Sequence, residues 1–459
     1  LSGPSTVRGD GKSTVTLELT VEPASAAAPG NIELVPSAGK TSHLRGAGKG
    51  RFEIDFVPPL VAEKTTVEVA ARITGGAKAA PLRIEVSPPT GDTGSRATGG
   101  PLDLRVPGRL VLGRDDSADV SIKPVEGLSL SLAVSTGSVT PLEKRGDGRL
   151  HATFRPPREK YPQVAIVVAS SKDGSQVDWA ALPLFGMPRV TARSEPSADV
   201  RVRVGDTEYG PLRADRRGRV RLRVLAPPGV GVAYAVARDA VGNERAVPLE
   251  LGVPDFPRTL GVCPPESGRM LFFAVEPTGE PREGLELEAE STIGTIESTT
   301  AVGPGHYQAR VDFPDDAQLG EKMRLSVRIA GEEGSEATCE TVVPGEAPTG
   351  LTVELGRSSY LAGSGKPVPV RVELRYPGQR NPRQVPIHVS ADFGTVSAPR
   401  ATAGGRYEAE WKIPDKFEGR NEAHLDASTV GEPLLRDGVR LDLVPGAAVR
   451  YRAFGAAQH

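Results

Sequence analysis

Apolar and polar residues alternate with a period of two along most of the chain, in short runs bounded by glycine and proline. That pattern predicts half-buried β-strands, because successive side chains of a strand point to opposite faces. Five runs share one form, a glycine leading into an alternating strand that stops at proline. They are Gly50-Arg-Phe-Glu-Ile-Asp-Phe-Val-Pro-Pro59, Gly148-Arg-Leu-His-Ala-Thr-Phe-Arg-Pro-Pro157, Gly218-Arg-Val-Arg-Leu-Arg-Val224 before Pro227-Pro228, Gly305-His-Tyr-Gln-Ala-Arg-Val-Asp-Phe-Pro314 and Gly405-Arg-Tyr-Glu-Ala-Glu-Trp-Lys-Ile-Pro414. Proline ends each strand because it cannot donate to a sheet ladder.

A second signal precedes three copies at a fixed distance. Gly137-Ser-Val139, Gly294-Thr-Ile296 and Gly394-Thr-Val396 each begin eleven residues before the repeat glycine, the first copy keeps only Gly39 there, and the third has no equivalent. Consecutive repeat glycines are 98, 70, 87 and 100 residues apart. Such spacing suits a small β-sandwich and is far too long for a solenoid repeat. No segment holds a sustained helical period. The prediction is an all-β chain of five tandem β-sandwich domains in an elongated array, each meeting only its neighbours and spanning roughly 150–200 Å end to end.

Composition agrees. Glycine and proline make 95 of 459 residues, short of a low-complexity chain, and 38% hydrophobic residues suffice for a core in each unit. Turn clusters place the units at 1–88, 89–187, 188–254, 255–345 and 346–446, with 447–459 as an extra strand or the start of a further domain. Pro88 to Gly100 reads as the one bendable linker, so the first unit is expected to hinge.

The alternating strand, the Gly-Thr/Ser-Val/Ile signal and the Gly-x-Tyr/Phe-x-Ala strand together resemble the bacterial immunoglobulin-like domains of the invasin and intimin type, and are loosely similar to filamin repeats. The third unit departs from that pattern. Its Asp215-Arg-Arg-Gly218 and Asp239-Ala-Val-Gly-Asn243 resemble another bacterial Ig-like group of large surface proteins. The resemblance implies that the five units are tandem immunoglobulin-like β-sandwich domains of a secreted, cell-surface or periplasmic bacterial protein acting as stalk, adhesin or scaffold, with other surface proteins or surface polysaccharide as partners. It marks no binding residue, since such sandwiches serve many roles.

Cys263 and Cys339 fall near the first and last strands of the fourth unit, where a disulfide and two buried thiols are both open readings. The net charge of −2 argues against general nucleic-acid binding. It hides an asymmetry: residues 188–260 hold thirteen arginines against nine acids, and 261–345 hold sixteen acids against six bases. Arg217, Arg219, Arg221 and Arg223 form one row, and Glu286, Glu288 and Glu290 another. A solvated sheet face, an anionic-glycan site on the arginine row, and pairing between the two rows are the three readings.

Catalytic signatures are missing. Gly39-Lys40-Thr41 and Gly11-Lys12-Ser13 lack the earlier glycine of a phosphate loop, no Gly-x-Ser-x-Gly elbow occurs, and the six histidines are scattered. The chain is therefore read as a non-enzyme without cofactor or metal, and an accessory region of a larger enzyme is the remaining alternative. Asp115-Asp116, Asp239 and Asp315-Asp316 do not make a calcium loop, and Arg8-Gly9-Asp10 and Arg145-Gly146-Asp147 match an integrin tripeptide without further context. Residues 444–454 resemble the entry of the fifth unit, so self-association through a C-terminal strand is a further expectation.

Overall fold

The computed structural model describes residues 1–22, 28–74, 79–89, 94–238, 242–314, 317–377, 385–403, 405–430 and 433–446. Among them helical structure is confined to the 3-10 turn Pro29–Asn31. The described strands make ten sheets that pack in pairs around apolar cores. The expected all-β sandwich class therefore holds.

In the fifth unit, Gly350–Leu355, Val368–Arg375 and Arg406–Lys412 form one sheet with two short edge strands. The facing sheet has the order Ser359–Leu361, Arg436–Val444, Glu422–Thr429, Ile387–Ala391. Ser359–Leu361 runs parallel to Arg436–Val444, as Thr6–Arg8 does to Leu82–Ser87 and Leu110–Val111 to Val177–Phe185. The entering segment thus crosses from one sheet to the other, an immunoglobulin-type arrangement. The third unit differs, as its sequence does: Arg189–Arg193 pairs only with Arg219–Arg223, opposite a four-stranded sheet ordered Thr207–Arg213, Asp199–Val204, Val232–Arg238, Glu244–Glu250.

The repeat signals have a steric cause. All five repeat glycines turn with φ between 62° and 82°, which a side chain disfavours. The upstream glycines also have positive φ, and a Cβ at Gly39, Gly137, Gly294 or Gly394 would collide with the carbonyl of Val57, Arg155, Asp312 or Lys412. Each carbonyl lies seven residues beyond its repeat glycine, so the two signals are two sides of one close strand approach. Aromatic residues of the repeat strands fill the cores: Phe56, Phe154 and Trp411 are fully buried, and the Tyr407 hydroxyl donates to the Val385 carbonyl at 2.5 Å.

Two expectations fail at the contacts between units. Strand Gln163–Ser171 of the second unit is buried at every position, with Ala165, Val167 and Ala169 in its own core. Its other face, Val164, Ile166 and Val168, packs on Leu271, Phe273 and Val275 of the fourth unit. Met270, Phe272 and Ala274 of that partner strand fill the fourth unit's own core. The Lys172 carbonyl accepts the Glu266 amide at 2.9 Å, and the Asp173 carbonyl accepts Arg269 Nη2 at 3.1 Å. Units two and four are therefore welded sheet to sheet, and the chain is not in single file.

The first unit likewise meets the third. Ala38 bridges Leu212, Leu60 bridges Gly210, Ala62 joins the third unit's core, and Arg213 donates its amide to the Ser37 carbonyl at 2.9 Å. The end of the expected linker is tied to the second unit, since Ser95–Ala97 pairs with Arg105–Pro107 and Thr98 donates to Asp178 Oδ2 at 2.6 Å. A freely hinging first unit does not fit these bonds. Alternation misses such contacts because a strand buried on both faces has no polar side left to alternate.

The weld has a titratable centre. Phe273 lies between Trp179 of the second unit, at 5.6 Å between ring centroids, and His306, stacked at 4.6 Å. Burial, with Arg269 beside it, lowers the His306 pKa to about 4, and its Nε2 is buried without a hydrogen-bond partner. Between pH 6.5 and 4 the folded state therefore holds fewer protons than the unfolded state. Stability is expected to fall as pH drops through that window and to level off below it. A pH series of thermal melts on wild type and His306→Phe checks this: the variant should lose part of the slope, and identical slopes would refute it.

Candidate anion-binding face

Strand Arg219–Arg223 turns Val220 and Leu222 onto the third unit's core and its three arginines outward. Arg217 is not on that strand. It sits in the preceding turn, where its amide and that of Arg219 bond Asp215 Oδ1 at 2.8 and 2.9 Å. These two bonds hold the Asp215 carboxyl below the usual range. Gly218 closes the turn with φ 67°, so near the Ser194 carbonyl that no Cβ would fit.

The register adds residues that the row alone does not reveal. Arg189 lies opposite Arg223, Thr191 opposite Arg221, and Arg193 opposite Arg219. Directly opposed residues share a face, so five arginines project from one two-stranded sheet. Alternation in Arg189-Val-Thr-Ala-Arg193 was the available signal, yet only pairing across the sheet joins it to the later row. Carboxylates approach at two places: Arg223 Nε is 3.3 Å from Glu63 of the first unit, and Arg219 Nε is 3.6 Å from Asp215. Both Nε atoms are buried without a hydrogen-bond partner. Arg189, Arg193 and Arg221 are exposed and, among the described residues, form no ion pair.

The glutamate row is built differently. Glu288 and Glu290 point outward from Leu287–Ser291, and Glu286 precedes that strand, its carbonyl accepting the Ala330 amide at 2.9 Å. Glu288 lies opposite Arg328 and accepts its Nε at 2.6 Å. Hydrogen bonding to Glu288, with the charges of Glu288, Glu290 and Glu336, raises the Arg328 pKa. Opposite charges face each other across this sheet, whereas like charges face each other across the arginine sheet. Among the described residues no ion pair joins the two rows.

The remaining candidates have plain structural partners. Cys263 and Cys339 are bonded with 5.8 Å between Cα atoms, joining the two sheets of the fourth unit. His151 is buried between Asp119 and Asp147, with its ring nitrogens 2.8 and 2.9 Å from their oxygens. Asp147 of the second Arg-Gly-Asp is thereby engaged, and Asp10 of the first accepts the amides of Lys12 and Ser13. Asp115 accepts the Val111 amide, and among the described residues no cluster of three or more His, Cys, Asp or Glu could hold a metal. Asp239, Asp315, Asp316 and the C-terminal segment 447–459 lie outside the described residues. No described helix is long and apolar enough to cross a membrane.

No family model matches the chain, and no curated protein does. Among solved structures it is similar to the Yersinia pseudotuberculosis adhesin InvE at 18% identity, covering 38% of this chain and 53% of that one with a TM-score of 0.28. It is similar to the Escherichia coli adhesin FdeC at 13% identity, covering 76% and 98%, TM-score 0.21. To invasin, an integrin-binding bacterial protein, the identity is 12% over 96% and 78%, TM-score 0.17. Overall superposition is poor in each case, so the architecture rests on the sheets themselves. By their order and pairing, the chain is an all-β protein of tandem immunoglobulin-like sandwiches.

Proposed function

We propose that this is a non-catalytic adhesive or scaffold protein of a bacterial envelope, with each of the five units a domain bounded as the turn clusters suggest. The observation that carries the reading is the double burial of Gln163–Ser171 and Arg269–Ala274. A contact between non-consecutive sandwiches spends two sheet faces on rigidity, which a flexible spacer does not need and a binding platform does. The disulfide fits an oxidising compartment.

The test is binding of the folded, labelled full chain to intact bacterial cells and to isolated envelopes. Saturable retention that is lost on heat unfolding is the expected result. Absence of saturable retention on either would overturn the adhesive reading.

A further inference from the structure

We infer that the outward face of the two-stranded sheet in the third unit binds an acidic polysaccharide, with Arg189, Arg193 and Arg221 as its main contacts and Arg219 and Arg223 at its two ends. This goes beyond the adhesive reading, whose partner class it names, and rests on it only for the setting.

The first support is electrostatic. Like charges placed directly opposite each other destabilise a sheet, and Arg189 faces Arg223 while Arg193 faces Arg219. Opposed like charges occur once each on the repeat strands of two other units, Arg269 facing Arg310 and Glu18 facing Glu53, whereas this sheet has two such arginine pairs with Arg221 between them. A bound anion removes the repulsion. The second support is that Arg189, Arg193 and Arg221 are exposed and form no ion pair among the described residues, whereas Arg219 and Arg223 are already met by Asp215 and Glu63.

Geometry selects the ligand class. The arginines occupy three rungs about 6.8 Å apart on a pleated surface, so anions repeating along a chain meet successive rungs. Guanidinium forks bind carboxylate or sulfate oxygens in pairs. Nucleic acid would call for aromatic platforms, whereas the six outward positions hold five arginines and Thr191. The sources of the shared anion chemistry are uronate carboxylates and sulfate esters.

The experiment uses the full chain on immobilised polygalacturonate, heparin, neutral dextran and single-stranded DNA, over a salt series. Variants carry Arg189→Gln, Arg193→Gln and Arg221→Gln together, or Lys at the same three positions. All three side chains are exposed, and folding is checked by circular dichroism.

Wild type is expected to bind polygalacturonate or heparin, weakening as salt rises, and the triple Gln variant to lose about tenfold or more in affinity. Lysine should restore part of the loss. Binding to heparin alone assigns sulfate, and binding to polygalacturonate alone assigns uronate. Equal affinity of wild type and the folded Gln variant, equal binding to dextran, or tighter binding to DNA than to either glycan would overturn the inference. Undiminished envelope binding by the Gln variant defeats this proposal alone. Absence of envelope binding by wild type defeats the adhesive reading and leaves the arginine face to be judged on the purified polysaccharides.

Discussion

Phe273→Asp is expected to separate the second unit from the fourth while leaving both folded. Phe273 is fully buried, and its neighbours are Trp179 and His306 at the contact between units. Truncating a buried phenylalanine costs about 3–5 kcal/mol, and a carboxylate there adds the desolvation of an unpaired charge. Phe272 and Met270 on the same strand point the other way and keep the fourth unit's core intact. Small-angle scattering should report a larger maximum dimension than wild type at the same mass. The emission of Trp179 should shift to longer wavelength, while Trp411, in the fifth unit's core, stays dark to the change. Unaltered scattering and emission from the folded variant would show that other contacts hold the units together.

Replacing Cys263 and Cys339 by serine should be the next most damaging change. The bond closes a loop over a sequence separation of 76 residues. Removing that constraint from the unfolded chain costs about 4 kcal/mol on the loop-entropy relation, roughly a thousandfold in the opening equilibrium. The effect should be local. Hydrogen exchange is expected to quicken in Arg269–Ala274 and Lys322–Ile329, with little change in Val368–Arg375 of the fifth unit. Equal protection of the fourth unit with and without the bond would refute the estimate.

These two changes bear on the same strand from opposite sides. Arg269–Ala274 is anchored through its own core on one face and through the second unit on the other. Losing the disulfide loosens the unit that presents Phe273, so the double change should also weaken the weld.

Period-two alternation determined the sandwich class, because a strand with one wet face must place its apolar residues at every second position. The spacing of Gly39, Gly137, Gly294 and Gly394 before their repeat glycines was legible for a related reason: only glycine fits a left-handed turn pressed against a carbonyl. The outward placement of Arg219, Arg221 and Arg223 could also be read from the sequence.

Tertiary structure alone decided the rest. Val164 to Ala169 and Met270 to Val275 are continuous apolar runs, and such runs say that both faces are buried without saying against what. Arg189 and Arg223 are far apart in sequence and meet only because antiparallel register sets them opposite each other. Local pattern encodes which face of a strand is dry; which strand or unit lies beside it follows from long-range pairing, and here that pairing made both the weld and the arginine face.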